Sequence, residues 1–331
     1  ALFDAAPTQL KLAIDYGAGR AARDDDAPSL VVVAVPPDVT ADVIERELAM
    51  YPHAVVTDVA SVKLAPLGEL RERGVDLTHY IGSHPLAGRE RGGAISARAD
   101  IFIGRPWVVC RDDETPADDL AIVEALALDV GATPIEMTPE DHDRSVALVS
   151  HVPQLVASLL AGRFAGAPDG ALRLAGQGVR DTTRIAASAP ELWVQILGAN
   201  AEPVVEVLDA LAADLNSVAT ALRAPDAPGS RRTVADTIRQ GNDGVERLPG
   251  KHGQNRRFDT VVVMVDDKPG QLGKLFAEMG ELDINVEDFR LEHSPGAQFG
   301  LAELSVVPHA VRGMLDGLES RGWRIASTTH D

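Results

Sequence analysis

The run Leu30-Val31-Val32-Val33-Ala34-Val35 is apolar at every position and stops at Pro36-Pro37. A strand with one wet face alternates polar and apolar residues, whereas an unbroken β-branched run suits a strand covered on both faces of a parallel sheet. The pattern recurs along the chain. Helical spacing from Thr40 to Ala49 puts Val43, Ile44 and Leu48 on one side, and Ala54-Val55-Val56-Thr57-Asp58-Val59 reads as the next strand. A helix follows from Lys63 to Arg73, then strands around Tyr80-Ile81-Gly82 and Trp107-Val108-Val109. Strand and helix alternating at this interval imply right-handed crossovers and an α/β Rossmann-like parallel sheet over residues 1–138.

A dinucleotide-binding sheet of this kind opens with a strand, a G-x-G-x-x-G turn and a helix, and the sequence contains no such motif. Gly17-Ala18-Gly19-Arg20 follows helix-like residues and precedes Asp24-Asp25-Asp26, the wrong setting for a phosphate cradle. Leu2-Phe3-Asp4 fits better as the end of the fold's second strand, where an acidic residue hydrogen-bonds the adenosine ribose. The domain is then N-terminally incomplete by roughly 30 residues, the size of one βαβ unit. Asp4, with Val35, Pro36 and Ser61 after later strands, is the expected cofactor contact.

The formal net charge of −19 argues against nucleic acid or an anionic membrane as a partner. A few arginines in a pocket can still outweigh that field for an anionic substrate. No run approaches the roughly 20 apolar residues of a membrane span, and no signal peptide is visible, so the cytoplasm is the expected compartment. The single cysteine, Cys110, ends an apolar run and reads as core, which leaves neither a disulfide nor a Cys-rich metal site.

From Thr138 the character changes. Pro139-Glu140-Asp141-His142 reads as a helix start, with acids suited to the positive end of the dipole. Residues 139–223 are Ala- and Leu-rich with helical periodicity, predicting an all-helical domain whose apolar surface a second subunit would cover. Residues 224–256 predict a linker with one short helical piece near Val234–Gln240. Residues 257–331 order their patterns as βαββαβ, a ferredoxin-like unit.

Two segments carry chemistry on their own terms. Gly82-Ser83-His84-Pro85-Leu86-Ala87-Gly88-Arg89-Glu90 puts an imidazole, backbone-permissive glycines and a carboxylate into one turn. Asp143, Ala147, His151 and Gln154 share one helical face. The plainer alternatives are a loop histidine at 84 and a core histidine at 151.

With Phe102-Ile103-Gly104-Arg105-Pro106-Trp107 downstream, the His84 segment resembles the signature of the prephenate and arogenate dehydrogenases of tyrosine biosynthesis. Further blocks follow in order over residues 1–223. Thr57-Asp58-Val59-Ala60-Ser61-Val62-Lys63 is similar to that family's Ser-Val-Lys turn, which implies that Ser61 hydrogen-bonds the catalytic imidazole or the substrate hydroxyl; a serine there would also cap a helix. The resemblance implies that His84 takes the carbinol proton as hydride leaves for NAD, while loss of CO2 aromatises the ring. Glu90 matches a gating or hydrogen-bonding carboxylate, and Asp143, Ser150 and His151 match further substrate-site positions. Gly176-Gln177-Gly178-Val179-Arg180-Asp181-Thr182-Thr183-Arg184 resembles the substrate-carboxylate loop, with Arg184 as the planar fork and Arg180 where lysine is commoner. The plain alternative is two surface arginines paired with Asp181 and Glu191. Gln154 stands where many prephenate-specific members carry a second histidine, and its neutral amide would tolerate the ammonium of arogenate better than an imidazolium could. Asp4 favours NAD over NADP, because a carboxylate repels a 2′-phosphate.

Asp267-x-Pro269-Gly270-x-Leu272, with Asn285-x-Glu287 downstream, resembles an ACT domain. That likeness implies feedback by an aromatic amino acid, with tyrosine the expected effector at Asp267, Pro269, Gly270, Leu272, Asn285 and Glu287. The expected protein is a homodimeric NAD-dependent oxidoreductase acting on prephenate or arogenate, without a metal. Its rivals are a hydroxyacid dehydrogenase, which lacks the His84–Glu90 turn followed by Arg184, and a non-catalytic amino-acid sensor on the same scaffold.

Overall fold

The computed structural model describes residues 1–88, 93–111, 115–248, 258–293 and 298–329. They form two compact units, residues 1–173 with 180–213 and residues 174–179 with 214–331.

The first unit opens with Leu2, bridged in parallel to Ala21, and α1 (Pro7–Asp15). Then follow β1 (Leu30–Val33), α2 (Thr40–Met50), β2 (Val55–Asp58), α3 (Leu64–Glu72), β3 (Tyr80–Pro85), β4 (Pro106–Cys110), α4 (Ala117–Asp129) and β5 (Thr133–Met137). The strands lie in the order β1-β2-β3-β4-β5. Every residue of β2 is buried, Thr57 and Asp58 included, whereas Val32 of β1 is 44% exposed, so the unbroken apolar run is not covered on both faces as its composition predicts. Val56 packs with Ile44 and Leu70, while its neighbour Val55 packs with Ile81, Val109 and Val123. One strand thus feeds two core layers.

Two expectations need correcting here. The sheet is parallel except between β3 and β4, which run antiparallel. Among the described residues their connection holds only a 3-10 turn, Ala94–Ser96, and no crossover helix to carry the chain back along the sheet. The segment from Gly82 is also not a turn: β3 continues through His84 to Pro85, with Ser83, His84 and Pro85 opposite Val109, Val108 and Trp107. Pairing with a buried neighbour holds as strand what the glycines and proline suggested was a loop.

The helical part comprises α5 (Pro139–Val146), a π-helical turn (Ala147–His151), α6 (Val152–Gly162), α7 (Asp169–Leu172), α8 (Gln177–Thr183), α9 (Pro190–Ala199), α10 (Ala201–Arg223) and α11 (Ser230–Glu246). The helix start expected at Pro139 is present, and the Thr138 hydroxyl caps it by accepting from the Asp141 N–H. Pro153 explains the widened turn. It has no N–H for the ordinary bond to Val149, and Val152 N–H reaches back five residues to the Ala147 carbonyl instead. By length and composition the stretch Pro139–Gly166 could cross a membrane, contrary to the sequence reading. His142, Asp143 and His151 within it are buried and hydrogen-bonded, which marks a core helix of a globular unit.

The expected linker is mostly helix. Val234, Ile238 and Val245 recur along α11, and Gly241 and Gly244 do not end it. A glycine costs a helix only about 1 kcal/mol, which neighbouring turns can absorb. Gly229, at φ +89°, makes the left-handed corner from which α11 starts.

The second unit carries β6 (Asp259–Asp266), α12 (Gln271–Glu281), β7 (Asp288–His293), β8 (Phe299–Val306), α13 (Val311–Ser320) and β9 (Arg324–Thr329). Its antiparallel sheet has the order β7-β8-β6-β9, the split ferredoxin-like arrangement expected from βαββαβ. Val261, Val263 and Val265 alternate inward against Leu275, Met279, Met314 and Leu318.

Candidate active site

The carboxyl ends of β2 and β3 meet the helical segment that begins at Thr138. Asp58 ends β2 fully buried and accepts from the Ala60 N–H at 2.9 Å and the Tyr80 hydroxyl at 2.7 Å. Lys63, itself 1% exposed, donates through Nζ to Asp58 and, at 2.6 Å, to the Ser83 carbonyl. A buried ion pair holds only when its remaining polar atoms are satisfied, and these donors and acceptors do that. Burial and the adjacent carboxylate push the Tyr80 hydroxyl well above its usual pKa, so it stays a proton donor. Gly82 lies over the pair; a Cβ there would sit 3.2 Å from both Lys63 Cδ and Tyr80 Oη.

Asp143 joins the helical segment to this floor. Its two carboxylate oxygens accept the N–H groups of Lys63 and Leu64, each at 2.9 Å, at the start of α3. The same carboxylate faces His142 Nδ1 at 2.7 Å, and His142 Nε2 faces His84 Nδ1 at 2.8 Å. The network assigns the protons. A carboxylate whose two oxygens already accept backbone N–H groups is an acceptor toward His142 as well, so His142 carries its proton on Nδ1 and accepts on Nε2. His84 therefore donates from Nδ1 and keeps a lone pair on Nε2, which has no partner among the described residues. Burial first, and then the charges of His142, Lys63 and His151, hold the His84 pKa well below the usual histidine value. At neutral pH it is an unprotonated base.

His151 ends the π-helical turn, 1% exposed, with its ring edge-on to Trp193 at 6.0 Å. Asn200 Nδ2 reaches both the Asp143 carbonyl, at 2.8 Å, and His151 Nδ1, at 3.1 Å. Burial lowers the His151 pKa to about 4. Gln154 lies buried on the same segment, its amide donating to Ser158 at 3.3 Å and accepting from Ser188 at 3.5 Å.

Of the residues singled out from sequence, the structure gathers His84, Asp143, His151 and Gln154, and leaves Ser150 half-buried beside them in the chain. Ser61 is half-buried and makes no hydrogen bond among the described residues. It does not cap α3, because Asp143 does. Glu90 lies outside the described residues. The Gly176–Arg184 loop is a correction: residues 177–183 are helical and Arg184 begins a 3-10 turn. Arg180 and Arg184 are exposed. Two glycines at a helix's first turn do not prevent it. Asp4 is exposed and accepts the Ala6 N–H, Val35 and Pro36 follow β1, and Cys110 is buried with its thiol pushed up to about 12. In the other unit Gly270 takes φ +85° at the start of α12, Asp267 and Pro269 are exposed, Leu272 is half-buried, and Asn285 donates to Glu287 at 2.7 Å. No group of metal-ligating side chains occurs among the described residues.

Sequence reasoning did not select Lys63, Asp58, Tyr80, His142 or Asn200. The signal available was a His-Asp pair at a capped helix start and a lysine flanked by Val62 and Leu64.

Residues 1–136 match the family described as prephenate dehydrogenase, nucleotide-binding domain, and residues 138–236 the prephenate dehydrogenase dimerization domain. The "Probable prephenate dehydrogenase NovF" of Streptomyces niveus is 34% identical over 97% of this chain and 91% of its own length. A candidate prephenate dehydrogenase of Corynebacterium glutamicum is 28% identical in crystal structure, with a TM-score of 0.65 over 74% of this chain and 81% of that one. The prephenate dehydrogenase of Aquifex aeolicus, crystallised with hydroxyphenyl propionate and NAD+, shares the fold at 24% identity and a TM-score of 0.62, over 72% and 87% of the two chains.

Proposed function

The chain belongs to the prephenate dehydrogenase family of NAD-dependent oxidoreductases, and from that premise we propose that it converts prephenate to 4-hydroxyphenylpyruvate through the Asp143–His142–His84 chain. The observation that carries the reading is His84 Nε2, a free lone pair at the end of two oriented hydrogen bonds.

The residues present fit the ribose and strand-end contacts of the cofactor, and a glycine turn for its pyrophosphate is not among them. Parallel strands β1 and β2 end side by side, the place where such sheets bind dinucleotides, and Val35, Pro36 and Ser61 follow those ends. Asp4, exposed with one carboxylate oxygen on the Ala6 N–H, suits the ribose hydroxyls. Held by those residues, NAD would supply the hydride acceptor for the carbinol carbon.

The chain's own part is the proton. His84 Nε2 takes it from the carbinol oxygen as hydride leaves and the C–O bond becomes a carbonyl; the electron pair of the breaking C–CO2 bond then aromatises the ring and passes to that oxygen, which takes the proton back as a phenol. His142 and Asp143 hold the tautomer and stabilise the imidazolium that forms, the task of an oriented carboxylate–histidine pair. Ser61, with its unpartnered hydroxyl, would hydrogen-bond the reacting oxygen. Arg184, Arg180 and Glu90 are assigned to the substrate's carboxylates and the mouth of the site. Gln154 supports a second reading, arogenate, because it brings no positive charge toward an ammonium.

The second unit, with its ferredoxin-like order and the Asp267–Leu272 and Asn285–Glu287 segments, is read as an ACT domain that senses an aromatic amino acid, tyrosine first. A homodimer through the helical part and a cytoplasmic location complete the proposal.

The test is NADH formation with prephenate and arogenate in parallel, for the wild type and His84→Asn. Turnover of prephenate that falls about 10²–10⁴-fold in the variant supports the assignment. Faster turnover of arogenate moves the second reading forward, and no turnover of either overturns the enzyme reading.

A further inference from the structure

Asn200 is buried at the junction between α9 and α10, and its amide cannot be turned around. A carbonyl oxygen only accepts, so the group 2.8 Å from the Asp143 carbonyl must be the Asn200 NH2. That NH2 has two hydrogens. One goes to Asp143, and the other points at His151 Nδ1, 3.1 Å away. A ring nitrogen facing an N–H must offer a lone pair, so the proton of neutral His151 resides on Nε2. Nε2 has no partner among the described residues and is not one of the fully enclosed unpartnered atoms.

We propose that Asn200 is a positioning residue that fixes His151 as a neutral hydrogen-bond donor through Nε2–H, directed at an acceptor oxygen of the substrate. The site then holds two histidines of opposite tautomer. His84 presents a lone pair and takes a proton; His151 presents a proton and gives none up. The carbonyl that fixes Asn200 belongs to the residue whose carboxylate orients His142, so Asp143 sets both tautomers, one through its side chain and one through its backbone. The proposal deepens the dehydrogenase reading and rests on it for the identity of the acceptor, but its structural content can be measured without turnover.

The decisive measurement is the nitrogen chemical shifts of His151 in full-length protein labelled with ¹⁵N-histidine, assigned by a His151→Gln variant. Protonated Nε2 and unprotonated Nδ1 are expected from pH 6 to 8. The Nδ1–H tautomer, or an ordinary histidine titration near 6.5, overturns the proposal. Asn200→Asp replaces the donor by an acceptor and should move the His151 proton to Nδ1. With melting unchanged, it should lower kcat/KM for prephenate about 10–100-fold, the usual effect of losing such a support. An unchanged kcat/KM in a folded variant overturns the positioning role. If Asn200→Asp does not fold, the wild-type shifts still decide. Absence of turnover in the wild type would sink the dehydrogenase reading while leaving the tautomer result intact.

Discussion

His84 is a base because of what surrounds it. Its burial and three nearby groups that carry or can carry positive charge keep the imidazole unprotonated well below the usual histidine pKa. A base of lowered pKa stays active until the pH falls through that lower value, so the acidic limb of kcat/KM is expected below pH 6.5, in a profile measured with prephenate. A limb at or above 6.5 would contradict the environment described. Lys63 and Asp58 make a different prediction. Neither is within reach of solvent, so Asp58→Asn strands an ammonium in the floor of the site and should cost roughly 3–5 kcal/mol in urea unfolding. This pair was not legible in the sequence. Val62 and Leu64 flank the lysine, but only the fold shows that β3 covers it at Gly82. His84 was legible because its segment has an unusual composition; His142 showed only as part of a helix start, since nothing in the chain order says that it will meet His84.

At the level of elements, legibility followed burial. The β-branched runs of β1 and β2 announce strands, and β2 is buried throughout, Thr57 and Asp58 included, while Val32 leaves one face of β1 44% exposed. The reversed direction of β4 leaves no such trace, since a doubly covered strand has the same composition either way round. The full length of α11 was missed because its glycines read as punctuation, and the π-helical turn because residues 143–154 read as one regular helical face straight through Pro153. Asp143 is the joint between the layers. Its carboxylate stands in for the cap that α3 lacks in its own sequence, where Lys63 occupies the N-cap position. Asp143→Ala removes that cap and leaves two amide donors buried. A loss on the order of 3 kcal/mol is expected from thermal or urea melting. A loss of activity with unchanged stability would separate the catalytic role from the structural one.

For the whole molecule, the unfinished surface is in the helices. Leu148, Val149 and Leu159 are 60%, 61% and 63% exposed, in a stretch whose family match names it a dimerization domain. Leu159→Asp is expected to shift the protein toward monomer in sedimentation, with little change in the monomer's fold. The sequence anticipated this face because leucines outnumbered what so short a helical segment could bury alone. The route taken by the proton follows from the same structure. Beyond His142 lies a carboxylate whose other donors are backbone amides, and amides do not hand protons on. The row of groups is a cul-de-sac rather than a wire. Each proton taken from substrate is held on His84 and goes back to the same oxygen when aromatisation turns it into a phenol, so the protein drains none of it away.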